Sequence, residues 1–452
     1  MVHSFSAHLK GKEYYFVTDV ESGSLHNVDY VAFLCIKNHY GQSLSEKEQE
    51  DFSKLSPDTI SEVEEEISEL EKEGVLNTPC TITSDVYEKK ADHVKALCLH
   101  ICHDCNLRCE YCFAKEGTYN TPRDYMSLEV GKKSIDFLIS ESKNIKNLEV
   151  DFFGGEPLLN LDVVKGIVEY AKARAKECGK IFTFTMTTNC LMLNDDTRQW
   201  LNEEMDNVVL SIDGRKSIHD RVRKTANGVS AYDSILNNAL KMAKMRNGKR
   251  YYARGTYTAY NIDFSKDVIE LAEKGFDQIS VEPVVLPEDS PMALKMSDVA
   301  RLCDEYDKVA DALIDFSGTE KGFNFFHFML DLDHGPCINK RLHGCGAGLD
   351  YLAVAPTGEI YPCHRFAGNS EYVLGTVYDG IERQDIRDRF AANNLLKKAH
   401  CIECPSKYYC GGGCAANALE FCGSLEGQYE MGCILQRKRL ECALAIEGVK
   451  RI

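Results

Sequence analysis

The sequence predicts an α/β protein in which a partial (βα)6, TIM-like barrel sits between a small winged-helix-like N-terminal domain and a cysteine-rich C-terminal domain. Three observations carry this. From residue 95 onward six β-rich runs alternate with helical patterns, as right-handed βαβ units in a parallel sheet require. The first 85 residues hold a strand pattern followed closely by helical ones. After residue 335 cysteine and glycine crowd out the apolar residues of a core, so this region is expected to be held by metal. Domains are drawn at 1–85, 95–315 and 335–452, since 452 residues exceed what one core can serve.

In the first domain "KEYYFVTD" is a short strand, and Asp29 caps a helix over "VDYVAFLCIKNHY". A further helix is punctuated at both ends. Ser56 caps it, Pro57 fits its first turn, Ile60, Val63, Ile67 and Leu70 form one face, and Gly74 stops it. A winged-helix shape suggests DNA, yet residues 1–90 carry 18 Asp and Glu against 8 Lys and no Arg. Such a surface repels phosphate, which turns the expectation toward a peptide partner.

The barrel strands are "VKALCLHIC", "LEVDFFGG", "KIFTFTMTTN", "DNVVLSIDG", "YYARGTYTAY" and "QISVEPVV". Helical patterns such as "SLEVGKKSIDFLISES", "VVKGIVEYAKARAKE" and "AYDSILNNALKMAKM" lie between them. Every motif described below falls at the end of a strand, where the loops of such barrels carry chemistry.

A formal charge of -17 speaks against nucleic acid or anionic membrane as partner. No signal-peptide pattern and no membrane-length apolar run occurs, so a cytoplasmic protein is expected. Twenty cysteines in a reducing compartment point to metal or redox chemistry rather than disulfides. Cys35, Cys98, Cys303 and Cys442 stand in apolar or helical runs and read as packing thiols.

"CHDCNLRCEYCFA" does not read that way. It sets Cys105, Cys109 and Cys112 in a C-x3-C-x2-C spacing. Three thiolates can hold three irons of a 4Fe-4S cube and leave the fourth iron open to a substrate or cofactor. Zinc is the rival reading, although structural zinc sites usually show paired C-x2-C units and a fourth ligand. His100 and His103 are additional candidate ligands.

"CNLRCEYC" resembles the cluster loop of radical S-adenosylmethionine (SAM) enzymes, and companion motifs follow in order. The resemblance implies that Tyr111 and the "GGEPLL" segment, with Gly154, Gly155 and Glu156, lie against SAM. It further implies that Asn189, closing "TMTTN", contacts the ribose, although Cys190 stands where a glycine is common. Ser211 in "LSIDG" and Arg223 in "HDRVR" complete the implied SAM set, Arg223 facing the carboxylate with a bidentate fork. The chemistry implied is a 5'-deoxyadenosyl radical able to take hydrogen from an unactivated carbon.

The C-terminal cysteines resemble the SPASM extension of this family, which holds two auxiliary 4Fe-4S clusters. Cys345, Gly358 and Cys363 match its first half, with twelve and then four residues between them. Cys401, Cys404, Cys410, Cys414 and Cys433 match its second half as a C-x2-C-x5-C-x3-C run with a distant last member. By resemblance Cys401, Cys404, Cys410 and Cys433 complete one cluster, while Cys345, Cys363 and Cys414 hold the other. Three 4Fe-4S clusters and SAM are thus the implied cofactors; two zinc ribbons are the alternative reading of this region. Cys337 and Cys422 are ambiguous. If Cys337 is not a ligand, the first auxiliary set is one short, and a substrate thiol is expected to fill the place.

The whole arrangement resembles maturases of ribosomally made peptides, most of all the SCIFF (six cysteines in forty-five residues) group, which forms thioethers. That resemblance implies a cysteine-rich precursor peptide as partner and an external one-electron reductant. A formylglycine-forming sulfatase-maturing enzyme and a non-enzymatic iron-sulfur electron carrier are the alternatives.

Overall fold

The computed structural model describes residues 1–83, 92–332, 334 and 337–451, so the expected junction between the first two domains lies largely outside the described residues. The chain begins with an antiparallel meander of β1 (Val2–Leu9), β2 (Lys12–Asp19) and β3 (Leu25–Val28). Only β2 is legible in the sequence; in β1 the inward residues Phe5, Ala7 and Leu9 are separated by Ser and His. Helices α1 (Tyr30–His39), α2 (Glu46–Ser53) and α3 (Pro57–Lys72) follow. Asp29 and Ser56 cap α1 and α3 as expected, accepting from the backbone N–H groups of Ala32 and Thr59. The additional α2 opens with a capping box between Ser45 and Glu48.

This domain is not independent. One face of its sheet sends Phe5, Ala7, Leu9 and Phe16 into the main core. Phe16 packs so closely on the C-terminal helix that a Cβ on Gly448 would lie 2.4 Å from its ring. The opposite side closes a separate small cluster of Val17, Ile36, Ile67 and Leu76.

All six expected barrel strands form: β4 (Ala96–Cys102), β6 (Asn147–Gly154), β7 (Ile181–Thr188), β8 (Asn207–Ser211), β10 (Arg250–Tyr257) and β11 (Gln278–Pro283). They pair parallel in chain order. Helices α4 (Leu128–Glu141), α5 (Leu161–Cys178), α6 (Asp195–Glu204), α7 (Lys216–Val222), α8 (Tyr232–Arg246), α9 (Ser265–Lys274) and α10 (Val299–Phe316) connect or follow them. Two short strands, β5 (Leu107–Cys109) and β9 (Arg223–Thr225), pair outside the barrel sheet.

The boundary near residue 335 is not a break in the sheet. β12 (Asn324–Phe325) closes one edge beside β11, and β13 (Tyr351–Val354) extends the other by pairing parallel with β4. β14 (Glu359–Tyr361), β15 (Gly375–Thr376) and β16 (Gly380–Ile381) continue antiparallel, giving one mixed sheet of eleven strands. Short helices α11 (Ile338–His343), α12 (Gln384–Ala392), α13 (Ala399–Ile402), α14 (Lys407–Cys410) and α15 (Ala415–Cys422) surround them.

The chain then ends in α16 (Glu430–Lys450), which buries Leu435, Leu440, Leu444 and Ile446 and packs along α10. The C-terminal region therefore has an apolar core, contrary to expectation, because it shares the core of the barrel and of β1–β3. Among the described residues no helix is long and apolar enough to cross a membrane.

Candidate functional site

One cavity of about 1240 Å³ opens at the strand ends, and it is lined by the ten cysteines and the seven SAM-type residues nominated from the sequence, though not by the additional candidates His100 and His103. Its wall includes Cys105, Cys109 and Cys112 from the loop after β4 together with Cys345, Cys363, Cys401, Cys404, Cys410, Cys414 and Cys433 from the C-terminal region. Cys337 stands exposed at the start of α11 and is not in that wall; Cys422 is exposed at the end of α15.

The first cysteine loop is pinned from two sides. Its β5 segment pairs antiparallel with β9, which puts Cys109 directly opposite Arg223. On the other side the Gly155 and Glu156 N–H groups donate to the carbonyls of Cys102 and Asp104, both at 2.8 Å. A Cβ on Gly155 would lie 1.9 Å from the Asp104 carbonyl oxygen, and one on Gly154 2.4 Å from that of Cys102. The two glycines thus let the cluster loop itself approach, before any ligand is considered.

Asp213 organises the next part of the wall. Its Oδ2 accepts from the Tyr111 hydroxyl at 2.5 Å and from Arg223 Nε at 2.9 Å, and its Oδ1 accepts from the Thr256 N–H at 2.9 Å. Asp213 and Arg223 are buried, with Arg223 held under charge by its Asp213 partner despite desolvation. Sequence reasoning missed Asp213, although it stands two residues past Ser211 in "LSIDG", and its place just beyond the end of β8 was the available signal.

Glu156 faces inward to the protein rather than to the cavity centre alone. Its carboxylate accepts from the Asn189 N–H at 2.7 Å, the Thr188 hydroxyl at 2.8 Å and the Leu158 N–H at 3.1 Å. Burial outweighs these bonds and raises its carboxyl to about 7. Asn189 in turn donates to Asn106 at 2.6 Å and lies 3.7 Å from Cys105 Sγ, so it braces the cluster loop. Cys190, in the place where a glycine is common, has φ 67°, the left-handed conformation that favours glycine there. His100 and His103 are buried against each other at 3.0 Å beneath Tyr119 and do not line the cavity.

The donor chemistry fits iron-sulfur clusters. Burial pushes the Cys105, Cys109 and Cys363 thiols up to about 12, so a bound metal is what would turn them into thiolates. Among the described residues no group of three or more His, Cys, Asp or Glu is gathered to hold a single ion, while ten cysteines line the one cavity. Lys407, between Cys404 and Cys410, is buried in an ion pair with Glu21, whose other oxygen accepts from Tyr408 at 2.6 Å. That contact ties the second cysteine set to the N-terminal sheet.

A parallel βα barrel carrying a three-cysteine loop at its first strand end, with a cysteine-rich extension on the same sheet, is the radical SAM fold. A family model described as a 4Fe-4S single cluster domain matches residues 95–235. The radical SAM cyclopropyl synthase TigE of Paramaledivibacter caminithermalis is 22% identical over 80% of this chain and 74% of its own length. The structure of native anSMEcpe with bound AdoMet and the Cp18Cys peptide aligns with a TM-score of 0.64 at 20% identity, over 80% of this chain and 100% of that one. Streptococcus suis SuiB bound to S-adenosylmethionine aligns with a TM-score of 0.52 at 15% identity, over 95% and 98%. The chain thus shares the α/β radical SAM fold of these proteins.

Proposed function

We propose that this protein is a peptide maturase that joins a cysteine sulfur to a carbon of a ribosomally made, cysteine-rich precursor peptide. The observation that carries this is the single cavity in which both cysteine sets and the SAM-type motifs meet. Cys105, Cys109 and Cys112 would hold the SAM cluster. Cys401, Cys404, Cys410 and Cys433 would hold one auxiliary cluster, and Cys345, Cys363 and Cys414 the other. When bound and reduced by an external one-electron donor, these groups and SAM supply a 5'-deoxyadenosyl radical.

The chain's own residues do the rest. Asp213 fixes Arg223 through Nε, leaving the remaining guanidinium N–H groups for the SAM carboxylate. Tyr111, held by the same Asp213, gives the SAM side of the cavity an aromatic wall. The cavity walls exclude water and hold the reacting carbon and sulfur together. In the net reaction a C–H and an S–H bond are lost and a C–S bond forms; one hydrogen goes to deoxyadenosine, and a proton and an electron leave. The N-terminal sheet has β1 and β3 as its edge strands, and with Gln42 bonded to Val2 and Ser4 on β1, the β3 edge suits capture of the precursor's leader by strand addition.

The test is anaerobic turnover with SAM, reductant and a short cysteine-rich peptide encoded beside the gene. Deoxyadenosine and a peptide lighter by two hydrogens, without oxygen gain, are expected. The triple substitution Cys105→Ala, Cys109→Ala, Cys112→Ala should abolish deoxyadenosine while about two thirds of the iron-sulfur absorbance persists. Deoxyadenosine formation retained in that variant would remove the assignment, and an oxygen-containing product would point to formylglycine chemistry.

A further inference from the structure

The charge of the cavity is opposite to that of the chain. The protein carries a formal charge of -17, yet basic side chains outnumber acidic ones two to one in the cavity wall. Part of that excess serves the thiols: Arg223, Arg365 and Arg437 stand beside Cys109, Cys363 and Cys433 and favour their ionised forms. Arg254 and Arg439 face elsewhere.

Arg254 lies near the end of β10, in register with Ser211 on β8, and reaches to 4.0 Å from Glu282 Oε1 at the end of β11. Arg439 comes from α16 on the opposite side and is 8% exposed. Its Nε donates to the Tyr306 hydroxyl at 2.8 Å, but its Nη2 sits 3.8 Å from Glu282 Oε2, too far for a hydrogen bond, and has no other acceptor. Glu282 Oε1 is meanwhile 3.2 Å from His327 Nε2. One carboxylate is thus shared among two arginines and a histidine. A buried guanidinium with an unmet donor is costly unless an acceptor arrives.

We propose that Arg254 and Arg439 form a carboxylate-binding subsite for the peptide, at the ends of β10 and β11, one strand beyond the SAM-type residue Ser211. It takes an Asp or Glu side chain or the C-terminal carboxylate of the substrate, completing the guanidinium contacts that Glu282 leaves unmade. Two arginines converging from a barrel strand and from α16 form a fork suited to a planar carboxylate. This rests on the reading of the cavity as a peptide site and deepens it by naming a chemical feature the peptide must carry.

The test is anisotropy of fluorescein-labelled peptides on the reconstituted full-length protein with SAM present. Three peptides are compared: Gly-Cys-Gly-Glu-Gly with a blocked C-terminus, its Gln counterpart, and the Gln counterpart with a free C-terminus. The Glu peptide should bind at least tenfold tighter than blocked Gln, and Arg254→Gln and Arg439→Gln should each erase most of that preference. Because Arg254 is about half exposed, its variant keeps the test available if the buried Arg439 variant fails to fold. Glu282→Gln, which removes the competing anion, should tighten Glu-peptide binding severalfold, an effect no merely structural role would produce. Equal tightness of the free-acid Gln peptide supports the subsite as one that takes either carboxylate; its failure restricts the occupant to the side chain. Equal binding of the Glu and blocked Gln peptides, including none of either, overturns the proposal. So does a preference unchanged in Arg254→Gln, or arginine variants that weaken SAM binding tenfold and leave peptide preference intact. A protein that shows the preference but makes no thioether would refute the reaction and keep the subsite.

Discussion

Two cysteine sets face one cavity and are held in opposite ways. The loop with Cys105, Cys109 and Cys112 is locked by a strand pair, by two glycines against its carbonyls and by Asn189 from the next strand end. The second set hangs on helices of four residues, α13 and α14, and on Gly411, Gly412 and Gly413, all left-handed at φ 67°, 91° and 82°. Regular hydrogen bonding thus positions the first set, while the stretch from Cys401 to Cys414 has little backbone order to lean on, and only Cys433, on α16, stands in a long helix. The lesson is that the sheet prepares the first cysteine set before any metal is considered, whereas the second, on the proposed assignment, would be shaped largely by the metal it binds.

Removal of iron is the largest expected way to break this contrast. Chelation should raise amide exchange across residues 399–422 by about 100-fold or more, as expected where local structure depends on metal. Exchange in β4, β6, β7 and β8 should change far less. Uniform loss of protection, followed by hydrogen-exchange mass spectrometry, would show that both regions rely on metal equally.

Gly155→Ala sharpens the comparison on the prepared side. The added Cβ meets backbone at 1.9 Å, which cannot give way cheaply, so a cost of at least about 3 kcal/mol is expected, the top of the overpacking range. Gly413→Ala, with open space around it, should cost only about 1–2 kcal/mol from its left-handed backbone. Urea denaturation of both variants checks the ranking, and reversed costs would mean that the second region is the more tightly packed.

A further expected effect, spread over several pH units, concerns Glu156. Its carboxyl is raised to about 7 in the folded chain by burial, above the ordinary value of 4.5. The folded state therefore holds its proton longer than the unfolded one. Stability is full below about pH 4.5 and falls as pH rises toward and through 7, by up to about 3 kcal/mol. Glu156→Gln should flatten that part of the pH-stability curve, and an unchanged slope would assign it to another group.

Much of the site was legible because its elements are local. A C-x3-C-x2-C run, a Gly-Gly-Glu-Pro turn and a C-x2-C-x5-C-x3-C run are spacings along one stretch of chain, and the six barrel strands announce themselves by short apolar runs between helices. Caps at Asp29 and Ser56 are equally local, since the capping side chain and the N–H it satisfies lie three residues apart. The sequence by itself therefore determined the barrel strands and nominated the cysteines and SAM-type residues that line the cavity at their ends. What only the tertiary structure decided is long-range. β1–β3 share the main core with α16, β13 joins β4 across some 250 residues to make one sheet, and Asp213 holds Tyr111 and Arg223 together. Arg254, Glu282 and Arg439 likewise meet from three distant elements. No periodicity or spacing encodes such pairings. They depend on which faces the packed core brings together, and a single chain position carries no mark of the partner it will meet.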